Sequence, residues 1–121
     1  MKILVIDDDP EVLTTLKAFF EKEGHETIGV ETASEGRRLT LVERPDLVLI
    51  DIRLPDINGV DLLRQIKEID KDLSVVMITA YKDAEKVIES FRAGAFDCLL
   101  KPFNFDYLLN NILTRIPRRV K

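Results

Sequence analysis

Five short, mostly apolar runs alternate with five amphipathic segments, and this alternation restricts the fold more than any other feature of the sequence. The runs cover residues 2–6, 25–30, 47–50, 74–78 and 96–100. Apolar strands that are each followed by a helix indicate a parallel sheet with helices on both faces. A closed barrel of such units needs eight of them and about twice this length. We therefore predict an open parallel sheet.

Helical periodicity predicts a helix after each run. The predicted helices cover residues 10–23, 33–42, 60–69, 84–93 and 105–116. Asp9 and Asn104 precede the first and last of them as N-cap residues do. Right-handed crossovers then give a doubly wound α/β sandwich of five βα units. We adopt the flavodoxin-like strand order 2-1-3-4-5, in which the switch point lies between the first and third strands.

The composition fits one domain over residues 1–121, with residues 117–121 interpreted as the start of a linker. A net charge of −4 argues against direct contact with nucleic acid. No apolar run is long enough to span a membrane, and no signal-peptide pattern follows Met1. The single cysteine, Cys98, excludes an intrachain disulfide, so we expect a cytoplasmic protein.

Polar residues follow four of the predicted strands, at the edge where parallel sheets bind ligands. They are Asp7 and Asp8 after the first strand, Asp51 after the third, Thr79 after the fourth and Lys101 after the fifth. Three carboxylates in one crevice repel one another, which raises pKa values unless a cation intervenes. Carboxylate oxygens favour a hard ion, Mg²⁺ with Mn²⁺ as the alternative. With the lysine charge and the threonine hydroxyl, they suit phosphoryl transfer to Asp51 as the nucleophile.

These residues resemble the receiver domain of two-component response regulators, and the resemblance covers the whole chain. It is carried by Asp7-Asp8, Asp51, Thr79-Ala80 and Lys101-Pro102-Phe103, and by the segments 51–59 and 92–97. The resemblance implies that Asp51 accepts a phosphoryl group from the phosphohistidine of a sensor histidine kinase. It also implies a regulatory domain, not an enzyme, that promotes its own phosphorylation and dephosphorylation.

The resemblance further implies a set of metal ligands. Mg²⁺ would be held by Asp8, Asp51 and the backbone carbonyl of Arg53, with Asp7 reaching the ion mainly through water. A cis peptide bond between Lys101 and Pro102 is implied as well.

One position departs from the family pattern. Cys98 stands where receivers carry Tyr or Phe, which rotates inward as Thr79 moves onto the phosphoryl group. The acceptor chemistry does not depend on Cys98, so we expect output to run through the backbone of residues 79–83. Arg53 and Tyr81 occupy the positions that set phosphoryl lifetime in this family. Their bulk predicts a longer lifetime than in the shortest-lived receivers.

The resemblance places the output surface on the fourth helix, the fifth strand and the last helix. Phe91, Phe105 and Tyr107 are candidate contact residues there, although a core position is the favoured interpretation for Phe91. The sequence of residues 94–97 and 101–103 is similar to that of receiver domains attached to AAA+ transcriptional activators. We therefore expect control of transcription through an effector domain in cis or a partner protein, and a phosphorylation-dependent homodimer.

Two other functions share parts of the pattern. A phosphohydrolase of the haloacid-dehalogenase type would use Asp7 as nucleophile and Asp9 as general acid. That motif has Thr or Val where this chain has Glu11, and such enzymes are longer. A flavin-binding module would need a phosphate loop rich in Gly, Ser and Thr after the first strand, which the sequence lacks.

Overall fold

The structure is a computed structural model that describes residues 1–80, 82–117 and 119. The strands within these residues are β1 (Lys2–Ile6), β2 (Glu26–Val30), β3 (Leu47–Asp51), β4 (Ser74–Ala80) and β5 (Asp97–Lys101). The first four helices are α1 (Pro10–Lys22), α2 (Ala33–Glu43), α3 (Gly59–Ile69) and α4 (Ala84–Arg92). The last helix, α5, begins as an α-helix (Phe105–Tyr107), widens to a π-helix (Leu108–Ile112) and ends as a 3₁₀-helix (Leu113–Arg115). The predicted alternation of strands and helices is confirmed.

The described strands form one parallel sheet in the predicted order, β2-β1-β3-β4-β5. In the register between β1 and β3, Ile6 lies beside Ile50. In the register between β3 and β4, Asp51 lies beside Ile78, and Lys101 of β5 lies beside Ala80 of β4. The carboxyl ends of these strands therefore reach the same edge, where the residues that follow them become neighbours.

The sheet separates two apolar layers, because successive side chains of a strand point to opposite faces. On one face α1 packs through Leu16 and Phe20, together with residues of α5. On the other face α3 packs through Leu62, Leu63 and Ile66. β3 lies between both layers and is buried along its whole length. The end of β3 is consequently held on both faces of the sheet.

Side-chain caps begin the first and the last helix, α1 and α5. Asp9 accepts a hydrogen bond from the amide of Glu11 at 2.9 Å, and Asn104 accepts one from the amide of Tyr107 at 3.0 Å. Both predicted N-caps are confirmed.

Asp56, in the loop after β3, binds the first turn of α2. Its two carboxylate oxygens accept hydrogen bonds from the amides of Ala33 at 2.9 Å and Ser34 at 3.0 Å. This contact ties the loop that leaves Asp51 to a neighbouring helix.

The sequence favours a core position for Phe91, and this prediction is wrong, because the side chain is 49% exposed. The buried residue of α4 is the small Ser90, and the half-buried Val87 packs beside it, so Ile88 and Phe91 stay exposed. Of the other two candidates, Phe105 is half-buried with its ring 4.8 Å from that of Phe19, and Tyr107 is partly exposed.

Candidate functional site

Asp51 and Asp7 lie together because they end neighbouring strands. Asp51 is the last residue of β3 and Asp7 directly follows β1. Both residues are buried, Asp7 completely. The amide of Asp9 donates to Oδ1 of Asp7 at 2.9 Å, and the amide of Arg53 donates to Oδ1 of Asp51 at 2.8 Å. The backbone of the two following loops therefore sets the orientation of each carboxylate.

Asp8 completes a cluster of three carboxylates. One oxygen each of Asp7, Asp8 and Asp51 lies within 4.8 Å of the others, and Asp8 is the exposed member. The predicted convergence of these acids is confirmed.

Lys101 brings a positive charge to the cluster from the end of β5. Its Nζ lies 3.1 Å from Oδ2 of Asp51 and 3.3 Å from Oδ2 of Asp7. Partial burial acts to lower the pKa of Lys101, but the two carboxylates raise it overall, so the ammonium is charged at neutral pH. The peptide bond between Lys101 and Pro102 is cis, as the resemblance implied.

Burial raises the pKa of Asp7 from 3.8 to about 6, and the negative charge of Asp51 adds to the rise. The hydrogen bond from Asp9 and the charge of Lys101 act in the opposite direction. A raised pKa is what the clustering of acids predicted, but burial contributes more to it than repulsion does. Oδ2 of Asp7 is buried and has no hydrogen-bond partner among the described residues, its contact with Lys101 being an ion pair. An oxygen-preferring cation would satisfy this atom, so the donor set fits a hard metal ion.

The loop after Asp51 returns tightly onto β3 at Gly59. The amide of Gly59 donates to the carbonyl of Ile52 at 2.7 Å. A Cβ at this position would lie 2.2 Å from the carbonyl oxygen of Asp51, so the return requires glycine. The same loop carries Arg53, whose carbonyl stays a predicted metal ligand.

Thr79 lies at the same edge, but its hydroxyl is not hydrogen-bonded to Asp51. The hydroxyl donates to the carbonyl of Ala80 at 3.0 Å and lies 3.5 Å from Oδ2 of Asp83. Asp83 also accepts a hydrogen bond at 2.8 Å from Nη2 of Arg53. The sequence pattern gives no sign of this role for Asp83, because an acid directly before a helix has the position of an ordinary N-cap.

Cys98 lies in β5 beside Met77 of β4 and packs against the apolar layer that α3 covers. Burial raises the pKa of its thiol to about 11, so the thiol is protonated at neutral pH. Tyr81 lies outside the described residues, and its influence on phosphoryl lifetime stays a prediction.

The family model of the response regulator receiver domain matches residues 3–113. The chain is 33% identical over 116 residues to the sporulation initiation phosphotransferase F of Bacillus subtilis, which covers 96% of this chain and 94% of that protein. It is 38% identical over 114 residues to the C4-dicarboxylate transport transcriptional regulatory protein DctD of Pseudomonas aeruginosa. That match covers 92% of this chain but only 24% of DctD, so the chain spans about a quarter of this relative.

A solved structure has the same fold at comparable identity. The CheY-like response regulator receiver domain protein of Methanospirillum hungatei has a TM-score of 0.89 and 35% identity, covering 95% of this chain and 92% of that one. None of the helices in the described part of the chain is long and apolar enough to cross a membrane.

Proposed function

The chain belongs to the family of response regulator receiver domains, and from this membership we propose that its Asp51 accepts a phosphoryl group from the phosphohistidine of a sensor histidine kinase. The observation that carries the proposal is the position of the Asp51 carboxylate. It ends a central strand, 3.1 Å from the ammonium of Lys101 and beside two further carboxylates. The domain is regulatory and acts in phosphorelay signalling.

Asp7, Asp8 and Asp51 are the side chains that would hold Mg²⁺, or Mn²⁺ as the alternative, with the carbonyl of Arg53 as a further ligand. When bound, the ion neutralises charge on the phosphoryl oxygens. The buried Oδ2 of Asp7, which has no hydrogen-bond partner among the described residues, supports this assignment.

The reaction at Asp51 is a nucleophilic displacement. A carboxylate oxygen forms the new P–O bond, and the electron pair of the breaking P–N bond stays with the histidine ring. The amide of Arg53 restrains the carboxylate through Oδ1. Lys101, which stays protonated, places positive charge where the phosphoryl oxygens arrive. The same groups would serve water as the attacking nucleophile, so the domain promotes both its own phosphorylation and its dephosphorylation.

The proposed output surface consists of α4, β5 and α5. Each of these elements exposes at least one large apolar side chain; they are Ile88 and Phe91 of α4, Leu100 of β5 and Tyr107 of α5. An effector domain in cis or a partner protein would bind this surface and control transcription. The sequence suggests that this control resembles that of receivers attached to AAA+ activators. Similarity to the transcriptional regulatory protein DctD supports this output. A phosphorylation-dependent homodimer, the lack of direct contact with nucleic acid and the cytoplasmic location are parts of the same proposal.

Intact mass spectrometry tests the proposal directly. The chain is incubated with acetyl phosphate, with Mg²⁺ or with EDTA, as wild type and as Asp51→Asn. We expect one phosphoryl adduct on the wild type, only with Mg²⁺, and none on the variant. An adduct on Asp51→Asn, or no adduct on the wild type, would contradict the proposal.

A further inference from the structure

Asp83 joins the two side chains that flank the proposed phosphoryl acceptor. Nη2 of Arg53 donates to its Oδ1 at 2.8 Å, and Nε of Arg53 donates to its Oδ2 at 3.4 Å. The hydroxyl of Thr79 lies 3.5 Å from the same Oδ2. One carboxylate therefore accepts two hydrogen bonds from the Arg53 guanidinium and lies next to the Thr79 hydroxyl, which itself donates to the carbonyl of Ala80.

The carboxylate of this contact differs from that of an ordinary surface ion pair in its burial. The side chain of Asp83 is 8% exposed and that of Arg53 is 64% exposed, whereas in the pair of Asp61 with Arg64 the two side chains are 60% and 51% exposed. Exposed pairs of that kind contribute little to stability, because water screens them and both side chains lose conformational freedom. The nearly buried carboxylate of Asp83, in contrast, has a fixed position close to the site.

The side chain of Asp83 also does not make the helix-capping hydrogen bond that its position before α4 would allow. It is the residue directly before α4, and its carbonyl accepts the first helical hydrogen bond from Val87 at 3.0 Å. An aspartate at such a position usually accepts a bond from an amide of the first turn. In Asp83 the side chain makes no such bond and is directed to Arg53 and Thr79 instead. A helix-capping role therefore does not explain this carboxylate.

The backbone of both residues that Asp83 contacts lies next to Asp51. The amide of Arg53 is bound to Asp51 at 2.8 Å, which places the origin of its side chain beside the acceptor. Thr79 follows Ile78, the residue that is paired with Asp51 across the sheet. A phosphoryl group on Asp51 would carry about −1.5 to −2 charges and three strong acceptor oxygens within reach of these donors.

We infer that Asp83 is a positioning residue for phosphoryl transfer, whose carboxylate holds the Arg53 guanidinium and lies beside the Thr79 hydroxyl until a phosphoryl group on Asp51 takes over these donors. The inference rests on the proposed function and adds a regulatory step to it. Phosphorylation must first displace the Asp83 carboxylate, and this displacement moves the residue directly before α4. The chain thereby links the chemistry at Asp51 to its proposed output surface without an aromatic residue at position 98.

The inference is tested with Asp83→Asn, which keeps the size of the side chain but removes its charge. Asp61→Asn is the matched control, since it makes the same change in net charge at the exposed Asp61–Arg64 pair. Two quantities are measured for each protein with Mg²⁺ present. They are the initial rate of labelling by acetyl phosphate and the midpoint of a beryllofluoride titration, followed through the amide resonance of Ala80.

We expect Asp83→Asn to label faster and to bind beryllofluoride more tightly than wild type, by about three- to tenfold, which corresponds to about 0.6–1.4 kcal/mol. Asp61→Asn should stay close to the wild type in both measurements. Asp83→Glu, which restores the carboxylate, should return both values toward the wild type. In an Arg53→Ala background, Asp83→Asn should have a smaller effect, because one of its two partners is already absent.

Two results would overturn the inference, and they differ from each other. If the wild type is labelled and Asp83→Asn is labelled at the same rate or more slowly, Asp83 does not hold the donors. The inference then fails, whereas the proposed function is unaffected. If the wild type takes up neither phosphoryl group nor beryllofluoride, the proposed function fails and the inference fails with it.

Discussion

Asp7→Asn should raise the free energy of unfolding of the metal-free protein at neutral pH, although Asp7 lies at the centre of the site. The wild-type carboxylate is completely buried, and its pKa is about 6 in the folded chain against an ordinary value of 3.8. Ionising Asp7 at neutral pH therefore destabilises the folded state. The difference amounts to about 3 kcal/mol, since each pKa unit corresponds to about 1.4 kcal/mol.

The sign of the pH dependence follows from the two pKa values. Between 3.8 and about 6 the folded chain retains a proton at Asp7 that the unfolded chain has released, so this residue lowers stability as the pH rises through that window. Below the window both states are protonated, and above it both are ionised. The stability difference between variant and wild type should thus be small at the acidic end, grow through the window and then stay constant.

The value of about 3 kcal/mol is an upper limit for the stabilisation by Asp7→Asn, because asparagine also loses the attraction to Lys101, 3.3 Å away. The amide of the variant can donate to Asp51, as a protonated Asp7 would. We expect a net stabilisation of about 1–3 kcal/mol, or a rise in Tm of about 3–12 °C for a domain of this size.

Urea and thermal unfolding in EDTA, at pH values from about 4 to 8, would measure this difference. Asp9→Asn is the matched control, because asparagine caps a helix as well as aspartate does and Asp9 is exposed. Adding Mg²⁺ should reduce the difference in free energy of unfolding between the two proteins, because the ion stabilises the wild type more than the variant. An Asp7→Asn protein that is no more stable than the wild type at neutral pH, or a gap that does not depend on pH, would refute the reasoning.

Three further predictions concern other residues. Asp56→Ala should lower the free energy of unfolding by about 0.5–1.5 kcal/mol in urea, through loss of its hydrogen bonds to the first turn of α2; an unchanged value would show that the contact does not stabilise the fold. Cys98 should react with iodoacetamide at neutral pH about tenfold more slowly than an ordinary thiol of pKa 9.0, since a pKa of about 11 lowers the thiolate fraction but makes the thiolate a stronger nucleophile, and rapid alkylation seen by mass spectrometry would contradict this. Arg53→Ala and Tyr81→Ala should each shorten the half-life of the phosphoryl adduct, whereas half-lives equal to the wild type would exclude their role as a shield.

The sequence predicts the fold and most of the site, because each relevant residue follows a strand whose apolar pattern is clear. The run that ends at Asp51 and the run that precedes Asp7 are buried in every residue or nearly so, which makes their ends easy to locate. The parallel register of the strands then brings those ends together at one edge, whatever the orientation of the side chains.

What the sequence does not predict depends on where side chains point. Asp83 has the sequence position of a helix cap, and only the three-dimensional arrangement shows that its carboxylate binds Arg53 instead. Phe91 has helical spacing that suits a core residue, yet α4 packs through the small Ser90 and leaves the ring exposed. The cause of the raised pKa of Asp7 is likewise a matter of burial, which the spacing of acids does not reveal.

The measurement that tests the central claim most directly is to locate the phosphoryl group along the chain. After labelling with acetyl phosphate and Mg²⁺, borohydride reduction converts an aspartyl phosphate to homoserine, and peptide mass mapping identifies the converted residue. We predict conversion at Asp51, together with loss of all conversion in Asp51→Asn. Conversion at Asp7 would support a nucleophile of the phosphohydrolase type and would contradict the account.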